Sequence, residues 1–269
     1  MPFKGNATLL KCTFDYMQLV TGILGFLWKC WVAVVFFVFA ILLYPIFLVL
    51  MVHEPWKKGG FYLFIFWSWM MRICCLYHVK KVLDSPLPKA PYILISNHAS
   101  YLDIFFMYSI FPQHPFLFLG KGEILSYPIV RTYFKALNIA VHRKDRGSAA
   151  KSFIQARKEA EKGWSIVIFP EGGIPDDHNP KMMAFKDGAF KLAKSLSLPI
   201  VPITFTNHFK LFSDPTQLLG PARPGISRVY IHPHVSIEEY ADLSIKELKE
   251  LCFERINAPL LQEYPDLVN

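Results

Sequence analysis

Apolar and polar positions divide the chain into two differently patterned parts. From Cys30 to Val52 run 23 residues without a charge. As a helix rising about 1.5 Å per residue, this stretch covers about 34 Å, enough to cross a hydrocarbon core with some tilt. A signal peptide has a shorter apolar core and a small-residue cleavage site, so an uncleaved anchor is expected, with Pro45 tolerated as a kink. Residues 1–20 are mixed and predict no element. His53–Gly60 is a charged turn with a Gly-Gly hinge. Phe61–Met71 then holds eleven uncharged residues, six of them aromatic. That is too short to span alone but suits an interfacial or re-entrant segment. Ser85–Pro91, with three prolines, reads as a stiff linker. The expected organisation is a membrane anchor over residues 1–84 and a second domain over 85–269.

Beyond the linker the pattern alternates. Short apolar runs predict strands at Tyr92–Ile95, Phe116–Leu119, Asn138–His142, Ser165–Phe169, Leu198–Thr204 and Arg228–Ile231. Helices are predicted between them at Leu102–Phe111, Glu123–Ala136, Gly147–Lys162 and Gly188–Ser197, and Ser244 with Glu247 forms a capping box for a last helix running toward Ala258. Strands alternating with helices imply an α/β fold, a mixed and largely parallel sheet flanked by helices.

Charge sharpens the division. The net charge is +8, and residues 1–90 hold nine Lys/Arg against Asp15, Glu54 and Asp84, a balance of +6. A basic, aromatic, apolar N-terminal third suits a membrane surface with anionic headgroups. No groove-reading motif accompanies the basic residues, so nucleic acid is not an expected partner. The five cysteines show no metal-ligand spacing and fit a reducing compartment.

Candidate chemistry gathers where strands end. The run Tyr92–Ile95 stops in Ser96, Asn97 and His98, and Asp103 follows five residues after the histidine. On one regular helix that pair would lie about 140° apart. With His98 in a strand-to-helix turn and Asp103 in the first helical turn, the side chains can meet. A carboxylate on one imidazole nitrogen fixes the tautomer and leaves the other nitrogen as a base. No Gly-x-Ser-x-Gly elbow is present, so the base would act on a substrate hydroxyl. At a second strand end, Phe169-Pro-Glu-Gly-Gly173 offers Glu171 as a hydrogen-bond acceptor or a holder of the turn, and Gly172 for close backbone approach. Lys121 and Arg143 stand beside two further strand ends and suit a phosphate. Asp176-Asp177-His178 and His232-Pro-His234 read better as turns than as metal ligands, so no metal site is assigned.

Taken together these segments resemble the glycerolipid acyltransferase family that includes bacterial lysophosphatidic acid acyltransferases. Asn97–Asp103 matches its N-H-x-x-x-x-D motif. Lys121-Gly-Glu123 and Asn138–Arg143 are similar to its second block. Phe169–Gly172 and Phe185-Lys-Asp-Gly188 match its third, and Leu198–Ile203 its fourth, over about residues 75–235. The resemblance implies His98 and Asp103 as the catalytic pair. It implies Asn97, Lys121, Arg143, Glu171 and Gly172 around the acceptor. It also implies acyl-CoA or acyl-carrier protein as co-substrate and no further cofactor. The expected activity is acyl transfer to a lysolipid hydroxyl, most simply 1-acylglycerol-3-phosphate, by a catalytic domain on the cytoplasmic face of a membrane. One departure bears on the acceptor: Gly173 and Ile174 stand where the family usually has Thr and Arg, which keeps amino-acid-containing lysolipids as alternative acceptors. A lipid-binding scaffold without turnover and a metal-dependent phosphoesterase using His98 with Asp176–His178 are the competing expectations.

Overall fold

The computed structural model describes residues 5–122, 126, 128–141, 146–175 and 179–268, with side chains from residue 16 onward except at 121, 128, 129, 136, 146, 148, 149 and 268. Seven strands form one sheet: β1 (Tyr77–Asp84), β2 (Ile93–Ser96), β3 (Phe116–Lys121), β4 (Ile139–Val141), β5 (Ser165–Ile168), β6 (Ile200–Phe205) and β7 (Gly225–Ile231). Their order is β1-β7-β6-β2-β5-β3-β4. From β6 to β4 every neighbour is parallel, whereas β7 runs antiparallel to β6 and pairs in parallel with β1. All residues of β2, β5 and β6 are buried, which explains their continuous apolar runs: both faces of these strands are covered. The α/β reading with a mixed, largely parallel sheet describes this architecture.

The cover consists of α3 (Leu102–Ile110), α4 (Pro128–Leu137), α5 (Arg146–Glu161), α6 (Gly188–Leu196) and α9 (Ile245–Glu263), with single turns α7 (His208–Leu211) and α8 (Ile237–Tyr240). The capping box of Ser244 and Glu247 opens α9 as the sequence predicts. It ties two helix-end backbone donors to side chains.

The N-terminal part departs most from the expectations. Helix α1 (Gly5–Met51) begins within the stretch that predicts no element, and α2 (Lys57–Cys74) replaces the short interfacial segment. A tight turn at Glu54–Trp56 folds the two into a hairpin. The two glycines are not a free hinge. A Cβ on Gly60 would lie 2.6 Å from Met51 Cε and 3.0 Å from Leu137 Cδ1, so the residue permits close helix packing. Helix α2 buries Phe61, Phe64, Trp67 and Met71. Phe64 stacks on Tyr108 of α3 at 4.8 Å, and Ser68 Oγ donates to the Phe105 carbonyl at 2.6 Å.

Helix α1 lies along the α/β domain. Trp28 Nε1 donates to the Tyr77 hydroxyl at 2.9 Å, Lys29 Nζ to the carbonyls of Gln217 and Asp214, and Tyr133 of α4 to the Ala40 carbonyl at 2.6 Å. Its opposite face leaves Leu24, Trp31, Val34, Ile41, Leu42 and Val49 exposed. The boundary expected between residues 84 and 85 also moves. β1 is an edge strand of the sheet, so Ser85–Pro91 connects two strands of one domain instead of preceding it.

Candidate active site

Three adjacent parallel strands bring the site together. The chain leaving β2 carries Asn97 and His98, the chain leaving its neighbour β5 carries Glu171, and the chain leaving its other neighbour β6 carries His208. Side chains from separate parts of the sequence therefore meet at the carboxyl ends of the strands, where open α/β sheets place their ligands.

After β2 the backbone turns through Ala99 and Ser100 into α3. Ser100 Oγ accepts from the Leu102 N–H at 3.2 Å and donates to the Phe212 carbonyl at 2.6 Å, which seats the helix start. Asp103 then reaches back over the turn. Its Oδ2 lies 2.9 Å from His98 Nδ1 and accepts the N–H groups of Ala99 at 2.7 Å and Ser100 at 2.9 Å. Its Oδ1 lies 2.5 Å from His208 Nδ1. Asp103 is fully buried. Burial pushes its carboxyl upward, but the hydrogen bonds from His208 and His98 outweigh that and hold it below the ordinary carboxylate range. An ionised carboxylate bonded at Nδ1 leaves Nε2 as the proton-accepting nitrogen of His98. The His98 side chain is 11% exposed, and its ring stacks on Phe169 with centroids 4.1 Å apart. The imidazole is thus fixed in plane while its edge stays reachable.

The remaining predicted residues divide. Glu171 is buried, and both its oxygens are taken by backbone: Oε1 by the His98 N–H at 2.8 Å and Oε2 by the Met183 N–H at 2.7 Å. Burial pushes its carboxyl up to about 7, although those two N–H bonds pull it down; the Asp103 charge adds to the rise. Its place is under the His98 backbone, as a holder of the turn. Gly172, next to it, has φ of 86°, a left-handed conformation that favours glycine.

Asn97, expected near the acceptor, makes a contact within the fold. Its side-chain amide donates to the Phe205 carbonyl and accepts the Phe205 N–H, each at 2.9 Å, and the residue is 3% exposed. It extends the β2–β6 pairing by one side-chain rung. Lys121 ends β3, with its side chain outside the described part, and Arg143 and Asp176–His178 lie outside the described residues. His232 is buried with Nε2 2.8 Å from Thr204 Oγ1, which accounts for it without a metal.

Ile174 and Pro175 line a cavity of about 270 Å³ with Asn179, Phe209, Ser213 and Asp214. Two of its lining residues are chain neighbours of site residues: Ile174 follows Glu171 by three positions and Phe209 follows His208 directly. His208 and Phe169 are the contributors that motif reading misses. The signal for His208 was present, because Thr206-Asn207-His208 is a polar run at a strand end like those at His98 and Glu171.

Comparison with known proteins agrees with this geometry. A family model described as Acyltransferase matches residues 78–206. A 1-acyl-sn-glycerol-3-phosphate acyltransferase of Saccharomyces cerevisiae is 33% identical over 65% of this chain and 60% of its own length. One from Chlamydomonas reinhardtii is 32% identical over 58% of this chain and 46% of its own length. The alpha form from Mus musculus is 31% identical over 56% and 52%. The chain thus spans about half the length of the curated relatives it matches. The crystal structure of the 1-acyl-sn-glycerophosphate acyltransferase PlsC from Thermotoga maritima superposes with a TM-score of 0.72, covering 89% of this chain and 96% of that one at 18% identity, and shares the fold. The chain thus carries an acyltransferase domain over residues 78–206, with the His98–Asp103 motif at the end of β2, and is similar to the 1-acyl-sn-glycerol-3-phosphate acyltransferases.

Proposed function

We propose that this protein transfers a fatty acyl group from a thioester, acyl-CoA or acyl-carrier protein, to the free hydroxyl of 1-acylglycerol-3-phosphate. The observation that carries this reading is the buried, ionised Asp103 holding His98 by Nδ1 at 2.9 Å. His98 Nε2 takes the hydroxyl proton as the oxygen attacks the thioester carbonyl. The C–O bond forms, the tetrahedral intermediate collapses with loss of the C–S bond, and the imidazolium returns its proton to the leaving thiolate. Asp103 stabilises the imidazolium meanwhile, and a base so placed contributes about 10²- to 10⁴-fold. The thioester is already activated, so the residues described supply the whole proton transfer without a metal or organic cofactor. Lys121, the last residue of β3, and Arg143, two residues beyond β4 in the sequence, are assigned to the acceptor phosphate, and Gly172 to close approach of the acceptor.

The N-terminal hairpin fits a lipid substrate. Helix α1, at 47 residues and about 1.5 Å each, is about 70 Å long, more than twice a hydrocarbon core of about 30 Å. Tyr16–Met51 is long and apolar enough to cross a membrane, yet one side of α1 is occupied by the α/β domain. A helix packed on that domain while its other side is apolar and exposed fits a position in the membrane plane. We therefore assign the α1–α2 hairpin to membrane attachment, with both helices embedded by one face and the site on the cytoplasmic side, where thioester donors are found.

Purified protein in lipid vesicles, given radiolabelled acyl-CoA and lysophosphatidate, is expected to form labelled phosphatidate, and activity should survive EDTA. Ile174 in place of the usual Arg makes the acceptor comparison informative. Preference for an amino-acid-containing lysolipid over lysophosphatidate would replace the acceptor and leave the chemistry standing.

A further inference from the structure

His208 is a buried titratable side chain in contact with the catalytic carboxylate and has no part in the proton transfer itself. His208 lies at the start of α7, fully buried, with its ring stacked on Phe205 at 4.4 Å and edge-on to Phe106 at 5.1 Å. The loop that carries it is pinned to β7: Asn207 Oδ1 accepts the Arg228 N–H at 3.0 Å, and Asn207 Nδ2 donates to the Ile226 carbonyl at 2.7 Å. Between these anchors the ring can do little but point Nδ1 at Asp103 Oδ1, 2.5 Å away, and Nε2 at the hydroxyl of the buried Ser227 on β7.

The chain His98–Asp103–His208–Ser227 has a definite proton arrangement. Asp103 is ionised and accepts only, so His208 carries a proton on Nδ1. If Nε2 were protonated as well, two imidazolium rings would face one fully buried carboxylate whenever His98 took the substrate proton. A neutral His208 avoids this, with Nε2 accepting from the Ser227 O–H. Ser227 thereby selects the tautomer, and the tautomer supplies the donor. On the Oδ2 side three donors converge from the turn and from His98; without His208, Oδ1 would be an ionised, buried oxygen with no partner among the described residues.

We propose that His208 is a positioning residue for acyl transfer, its Ser227-set Nδ1–H clamping the far oxygen of Asp103 so that the near oxygen stays on His98. It extends the motif of Asn97–Asp103 by a contact from a strand end 105 residues away. The inference rests on the acyl-transfer reading for its kinetic consequence, and on geometry alone for the tautomer.

Two near-isosteric variants separate the two ring nitrogens. An Asn side chain places its amide N–H where Nδ1 lies, and a Gln side chain places it where Nε2 lies. His208→Asn is expected to keep kcat within about threefold of wild type. His208→Gln, which leaves a buried carboxylate oxygen without its donor, is expected to lose about 10- to 100-fold in kcat with KM for acyl-CoA and lysophosphatidate little changed. Equal activity of the two folded variants would overturn the proposal, and so would failure of both to fold, which would give the ring a purely structural place. Independently of turnover, ¹⁵N-histidine NMR of the wild-type protein in detergent should show His208 neutral at pH 7 with its proton on Nδ1. A proton on Nε2, or on both nitrogens, would overturn the tautomer. If wild type transfers no acyl group, the acyl-transfer reading fails and the NMR result still decides the proton arrangement.

Discussion

Asn97→Ala tests whether the first residue of the motif builds the site or touches the acceptor. The side chain makes two hydrogen bonds, both 2.9 Å and both to the backbone of Phe205, in a position only 3% exposed. Alanine leaves one buried N–H and one buried C=O without partners. At about 1–3 kcal/mol for each orphaned group, the loss is about 2–6 kcal/mol. For a domain of this size that corresponds to a fall in Tm of about 5–20 °C. Thermal unfolding in detergent micelles measures it directly. Asn97→Asp sharpens the test. A carboxylate still accepts the Phe205 N–H but sets an anionic oxygen against the Phe205 carbonyl, so its loss should equal or exceed that of alanine at pH 8 and ease as the pH falls. An acceptor-binding role gives the opposite pattern: an unchanged Tm and a raised KM for the lysolipid. A Tm shift below about 2 °C for Asn97→Ala would refute the structural role, given two lost buried bonds.

Other perturbations reach the same corner. Asp103→Asn keeps one oxygen for His98, Ala99 and Ser100 and turns an NH₂ toward His208, which can switch its proton to Nε2 and donate to Ser227; the fold should hold while kcat falls by about 100-fold or more, and a kcat within tenfold of wild type would show that the charge contributes little. Glu171 gives a pH signature. Its carboxyl is pushed from 4.5 to about 7, so between those values the folded state holds a proton that the unfolded chain has released. Stability of wild type relative to Glu171→Gln should therefore fall as pH rises from 5 to 8, by about 3 kcal/mol at 1.36 kcal/mol per tenfold. Urea unfolding at both pH values checks this, and a difference that does not change with pH would contradict the burial of an acid there.

Much of this architecture can be read from the chain because its signals are local. The strands at Ile93–Ser96, Ser165–Ile168 and Ile200–Phe205 are continuous apolar runs ended by polar residues, and burial on both faces is the physical reason. His98 and Asp103 are five residues apart, so one turn brings them together. The parts that were not legible depend on distant partners. β1 (Tyr77–Asp84) has an exposed, mixed pattern, with only Tyr77 buried, because it is an edge strand defined by pairing with β7. Phe61–Met71 reads as too short to span a membrane and suited to its interface, because the α1 and α3 residues that its aromatic face packs against are distant in sequence. Asn97 looks like a ligand contact until Phe205, 108 residues later, is placed beside it. His208 needed the sheet order, which sets β6 next to β2.

The central claim is that His98, held by Asp103, removes the proton from a lysolipid hydroxyl. Single-turnover transfer of a radiolabelled acyl group from acyl-CoA to lysophosphatidate in vesicles, comparing wild type with His98→Ala, tests it most directly. The expected result is a rate lower by about 10²- to 10⁴-fold in the variant, with binding of both substrates and the Tm preserved. A folded His98→Ala protein that transfers label as fast as wild type would contradict it.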